Sequence, residues 1–118
     1  MTADQMLWHL GMALESATGR GVAERRKPPL PPVMMRALVL YAPWPQGRHI
    51  PTAKEFVATT SHDLEAERRR CISLIDEVSS LPLNGAWPTH HLFGRMSGAH
   101  WSRLMAKHLD HHLTQFSV

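Results

Sequence analysis

Apolar residues recur at helical spacing in four stretches of the chain, and nowhere do they alternate over enough positions to predict a strand. In the first stretch Met6, Leu10, Ala13, Leu14 and Ala17 fall on one face. Thr2 stands where an N-cap belongs, Gln5 three residues later completes a capping box, and Gly19 and Gly21 end the helix. The second stretch follows "KPPLPP" (27–32). Pro32 suits a first helical turn, "VMMRALVLYA" carries the helix to residue 42, and the Pro-Trp-Pro at 43–45 stops it. The third begins near Ser61, with Leu64, Cys71, Ile72, Ile75 and Val78 along one side, and closes at Pro82 and Gly85. The fourth is capped by Ser97 and runs to Phe116. Between them, "PWPQGRHIP" (43–51) reads as loop. "TAKEF" (52–56) reads as a short turn of helix, with Thr52 and Glu55 as its capping box, and residues 82–97 form a loop rich in turn residues. The pattern predicts one all-α domain over residues 1–118, with its helices packed as a bundle and no internal repeat.

The fourth helix carries the candidate chemistry. At about 100° per residue, Trp101, Leu104, Met105, His108, Leu109, His112 and Phe116 share one broad face, and Arg103, Asp110 and Thr114 lie on the other. His108 and His112 therefore sit one turn apart within the apolar stripe, and His111 lies at its edge. Two imidazoles at i and i+4 can aim their nitrogens at one divalent cation. Buried imidazoles need partners in any case, and a backbone carbonyl or a facing carboxylate would also serve. By itself an HxxxH pair is a weak signal, more often structural than ligating. Here it lacks the intervening Glu of the zinc-protease motif, since Leu109 and Asp110 follow His108. A third ligand is needed, and His9, between Met6 and Ala13 beside the apolar face of the first helix, is the best candidate.

Composition narrows the classes. Of 118 residues, 43% are hydrophobic and 19% charged, a balance that folds. No apolar run is long enough to span a membrane, and "MTADQMLWHL" lacks the basic start and apolar core of a secretory signal. Cys71 is the single cysteine, so no intrachain disulfide forms and a reducing, cytoplasmic setting is expected. The net charge of +3 is a weak driver for nucleic-acid binding, and no groove-reading helix or stacking platform supports it. Nine histidines are the unusual count.

"TADQMLWHL" (2–10), "PTAKEF" (51–56), "HDLEAERRRCISLID" (62–76) and "HHLFGRMSGAHWSRLMAKHLDHHLTQF" (90–116) together resemble the DinB-like superfamily of helical-bundle metalloproteins, in particular one of its domain-of-unknown-function branches. The resemblance covers nearly the whole chain. It implies an up-and-down four-helix bundle holding a divalent metal ion (zinc, nickel or similar) on His9, His108 and His112, with water at the remaining positions. Members of the wider superfamily include thiol-dependent transferases and isomerases, in which the metal activates a low-molecular-weight thiol. A metal-dependent transferase or hydrolase acting on a thiol or another small molecule is therefore implied, with no reaction assigned to the branch. Relatives carry a further helix before the "MTADQMLWHL" segment. The expectation is accordingly a bundle incomplete at its N-terminus and a homodimer that fills the gap.

Other residues have plainer readings. "ERRRC" (67–71) and "ERRK" (24–27) read as a solvated helix face and a wet loop. Cys71 reads as an inert buried thiol, and Trp8 and Trp101 as core residues that also wall the site. His90 and His91 read as loop histidines facing water, with a place at the pocket mouth as the sharper option. His49, His62 and His100 read as solvent-facing or cap-like, and Asp110 points away. No acid, base or anchoring cation is identified at the metal; His111, His91 and Asp4 are the nearest candidates. A non-catalytic structural or interaction module with a vestigial histidine cluster is the alternative to an enzyme, and a regulatory metal sensor is a third reading.

Overall fold

A computed structural model of the chain describes residues 1–20, 31–41, 57–90 and 93–117. The described residues form four helices, α1 (Ala3–Thr18), α2 (Pro32–Tyr41), α3 (Leu64–Ser80) and α4 (Gly98–Gln115), and no strand. Among those residues no helix is long and apolar enough to cross a membrane. The short helical turn expected at Thr52–Phe56, the "ERRK" loop, His49 and His91 lie outside the described residues.

Helix ends follow local chemistry. The Thr2 N–H donates to Gln5 Oε1 at 3.0 Å, the Gln5 half of the expected capping box. Gly19 ends α1 in the left-handed region at φ 86°, which lets Arg20 N–H reach back to the Glu15 carbonyl at 3.2 Å. The third helix starts later than the Ser61 expected, because Asp63 Oδ1 accepts the Ala66 N–H at 2.8 Å and takes the N-cap role. Ser97 caps α4 as expected, accepting the His100 N–H at 3.1 Å.

The helices alternate in direction. Gln5 donates to the Thr60 carbonyl just before α3, and Arg20 beyond the end of α1 pairs with Glu77 late in α3, so α1 and α3 run parallel. Ala13, Leu14 and Ala17 share a core with Trp101, Leu104 and Met105, whereas Met6 and Leu10 meet Leu109, Leu113 and Phe116, so α1 and α4 run antiparallel. Arg36 donates to the Arg95 carbonyl and Arg103 Nε to the Leu40 carbonyl, both at 2.7 Å, which sets α2 parallel to α4. The result is an up-down-up-down arrangement with α1 at its centre, packed on both α3 and α4. Met35 and Leu40 turn inward from α2, while Val33, Met34, Leu38 and Tyr41 are exposed on its outer side.

Two expected core positions on α3 shift. Cys71, Leu74 and Val78 are buried, but Ile72 is 48% and Leu64 51% exposed. Ile72 sits about 100° around the helix from Cys71, off the face that α1 covers. Arg70, read as part of a solvated face, instead turns to α1. Its Nη2 lies 2.8 Å from Glu15 Oε1 and its Nη1 3.2 Å from Glu67 Oε2. Burial works against this guanidinium's charge, and Glu15 and Glu67 more than restore it. Cys71 is as inert as expected: its Sγ donates to the Leu7 carbonyl at 3.0 Å, and burial pushes the thiol up to about 11.

The connection into α4 is pinned by two tryptophans. Trp87 Nε1 donates to the Pro82 carbonyl at 2.9 Å and Trp101 Nε1 to the Pro88 carbonyl at 2.8 Å. At Gly98, a Cβ would stand 2.5 Å from the Leu83 carbonyl oxygen and against the Trp87 indole nitrogen. A backbone oxygen cannot swing aside, so Gly98→Ala must push this segment off the start of α4. The expected cost is about 1–3 kcal/mol, or a melting temperature lower by about 5–15 °C. A melt within 1 °C of the unaltered protein would rule this close packing out.

Candidate metal centre

α1 and α4 cross where His9 faces His108 and His112. His9 is buried at 5% exposure and the other two rings are half-buried. His9 Nε2 lies 3.0 Å from His108 Nε2, and His112 Nε2 lies 3.1 Å from the same atom. The three rings stand nearly at right angles to one another, with centroids 4.9, 4.9 and 4.7 Å apart. Helical geometry supplies two of the three, since residues four apart on α4 stack one above the other. The antiparallel packing of α1 supplies the third from 99 positions away.

These separations fit a divalent cation. Two nitrogens each about 2.0–2.1 Å from one ion, and 3.0–3.1 Å apart, subtend about 90–100°, between octahedral and tetrahedral corners. Hydrogen bonding among the rings fits less well. Each Nε2 carries either one proton or one lone pair, so His108 Nε2 can complete one of its two contacts as a hydrogen bond but not both.

Electrostatics keep the donors in their ligating form. Burial, and then the neighbouring His9 and His112, hold His108 well below the usual imidazole range. Burial, and then His9, bring His112 down to about 4. Both rings are therefore neutral at pH 7, as coordination requires. Leu109, Leu113 and Phe116, from the same turns of α4, pack with Met6, Leu10 and Cys71 in a small apolar cluster.

The remaining candidates fall elsewhere. Asp4 accepts the His62 N–H at 2.8 Å and the Thr2 hydroxyl, so it ties the start of α1 to the segment before α3. The bond from His62 is the main cause holding its carboxyl below the usual range. His111 stands edge-on to His112, with centroids 4.9 Å apart. His62, expected to be solvent-facing or cap-like, is half-buried and stacks on Trp8 at 5.0 Å and 9°. Trp8 is correspondingly a half-buried flank and not a core residue, whereas Trp101 is 1% exposed as expected. Asp110 is exposed.

His90 departs furthest from its reading. It is 7% exposed, its Nδ1 accepts the Phe93 N–H at 3.1 Å, and its ring stacks on Phe93 at 4.6 Å. Trp101 lies 5.0 Å from that ring. The signals that would have found it are Phe93 three residues on in the same loop and the apolar neighbourhood that Trp101 creates. Gln115 carried no expectation at all, yet its Oε1 lies 3.0 Å from His112 Nδ1.

Searches of curated proteins and of solved structures find no match to the chain. A family profile described as "Protein of unknown function (DUF1569)" matches residues 3–118, and so includes both helices that meet at the histidines. The chain with this histidine cluster belongs to the DUF1569 family.

Proposed function

We propose that the protein is a divalent-metal-binding helical bundle of DinB-like type, that His9, His108 and His112 hold the ion through Nε2, and that it works as a metal-dependent transferase or hydrolase. The observation that carries this reading is the convergence of three imidazole nitrogens from two helices. A bound divalent ion supplies a Lewis acid that lowers the pKa of a coordinating thiol or polarises a substrate oxygen. The chain's own residues do the rest. His108 and His112 present lone pairs from successive turns, and His9 closes the set from a buried position. Three protein donors leave coordination positions for a small molecule, the arrangement of catalytic and not of closed structural sites. A low-molecular-weight thiol is the first co-substrate to try, by the likeness to DinB-like proteins. A reducing compartment, in which Cys71 stays a thiol, completes the reading.

Elemental analysis of protein purified without an affinity tag should find about one equivalent of divalent metal per chain. His108→Ala/His112→Ala should reduce it to background while circular dichroism stays helical. Unchanged metal content in that double variant would exclude the three-histidine assignment.

A further inference from the structure

We infer that Gln115 is the positioning residue of the histidine site: its carboxamide holds the His112 ring so that Nε2 faces His9 and His108 as an unprotonated lone pair. This rests on the reading of His9, His108 and His112 as one metal site.

A neutral imidazole carries its proton on one of two nitrogens, and the partner of the first decides the state of the second. His112 Nδ1 lies 3.0 Å from Gln115 Oε1. A carbonyl oxygen only accepts, so Nδ1 must be the donor, and Nε2 is left with a lone pair. That nitrogen is the one 3.1 Å from His108 Nε2. Turned over, the amide would present an N–H to Nδ1. The proton would then move to Nε2, where it would block an ion.

Gln115 Nε2 lies 3.4 Å from His111 Nε2, a long contact in which, with the amide placed this way, the amide N–H donates and the imidazole accepts. Gln115 reaches both rings because it follows His112 by three residues and His111 by four, the two spacings that bring helix side chains together. It is the last residue of α4, and Phe116 after it packs against the cluster of Met6, Leu10 and Cys71, which anchors this final turn. His111, read from the sequence as lying at the edge of the apolar stripe, thus acts at one remove, through Gln115. Partners at this distance from a ligated ion commonly alter affinity by about 10–100-fold.

The test compares the unaltered protein with Gln115→Leu, Gln115→Glu and His112→Ala, using Zn2+ alone as probe. Zn2+ affinity is read by chelator competition. The protonated nitrogen of His112 is read in metal-free protein at pH 7.5 by long-range 1H–15N spectra. Gln115→Leu should lose about tenfold in affinity, with His112 shifting toward the Nε2–H form. Gln115→Glu keeps an acceptor at the same place and should restore both the affinity and the Nδ1–H form. A merely structural role for Gln115 would move neither the tautomer nor the rescue. If His112→Ala abolishes tight Zn2+ binding while Gln115→Leu leaves affinity and tautomer unchanged, the role of Gln115 is overturned and the histidine site stands. If His112→Ala leaves Zn2+ affinity unchanged, the site reading fails and this inference fails with it.

Discussion

Trp101→Ala is expected to remove about 3–5 kcal/mol of folding stability, the range for deleting a buried indole. Trp101 is 1% exposed and is among the largest fully buried side chains. It belongs to the core with Ala13, Leu14 and Ala17 of α1 and with Phe93, Met96, Leu104 and Met105. The two alanines on α1 are what admit an indole at this crossing, so truncation opens a cavity that their short side chains cannot refill. The change also strands the Pro88 carbonyl, which accepts the indole N–H at 2.8 Å. A domain of this size has only about 5–15 kcal/mol of net stability, so the loss takes a large share of it. Urea titration at pH 7.5 measures the effect. Trp101→Phe keeps most of the volume and should cost less than half as much. A Trp101→Ala midpoint equivalent to under 1 kcal/mol of loss would contradict this account of the core.

The second large effect is a loss of stability in mild acid by the metal-free protein. His112 falls from the ordinary 6.5 to about 4, and His108 lies well below 6.5, burial being the first cause for each. The unfolded chain therefore takes up protons near pH 6.5 that the folded chain refuses. Stability is whole above pH 6.5 and is lost as pH falls from there toward 4. Solvent screens the half-buried His112 ring, and the two together should cost about 2–3 kcal/mol between pH 7.5 and 4.5. Hydrogen bonds from the His62 backbone, Arg68 and Arg20 hold the carboxyls of Asp4, Glu65 and Glu77 below their ordinary range. Urea titrations with chelator present, at half-unit steps of pH, check the effect. His108→Leu/His112→Leu should flatten the curve between pH 6.5 and 4.5, and an unchanged slope in that variant would refute the assignment. A divalent ion at about a thousandfold its Kd should add about 4 kcal/mol at pH 7.5, and less in acid, where protons compete for the same nitrogens.

Much of this was readable from spacing. Met6, Leu10, Ala13, Leu14 and Ala17 are all buried, because α1 lies between two neighbours and a broad face suffices. The failures on α3 have a different origin. Periodicity shows which residues share a side, but the partner decides how wide a side it covers, and α1 leaves Ile72 in solvent. Arg70 reads as surface because charge usually is, and only the Glu15 carboxylate across the helix interface turns it inward. At the site, the 3.6-residue repeat points to His108 and His112, since their relation is local. His9 shows up only as a histidine beside an apolar stripe, because its meeting with α4 depends on packing across the fold. Gln115 is local to His112, but an exposed glutamine at a helix end has no mark that separates it from an ordinary surface residue.

The 99-position interval between His9 and His108 has a consequence in time. Contacts so distant along the chain form late, after helices and nearer pairings have reduced the number of conformations to search. In an early collapsed state, α4 alone would offer a two-nitrogen pair that grips a cation poorly. On the proposed metal site, the grip would tighten only when α1 docks and brings His9. Cation affinity during refolding would then be a clock for the α1–α4 encounter, and a substitution that delays that encounter would weaken capture without altering a single ligand.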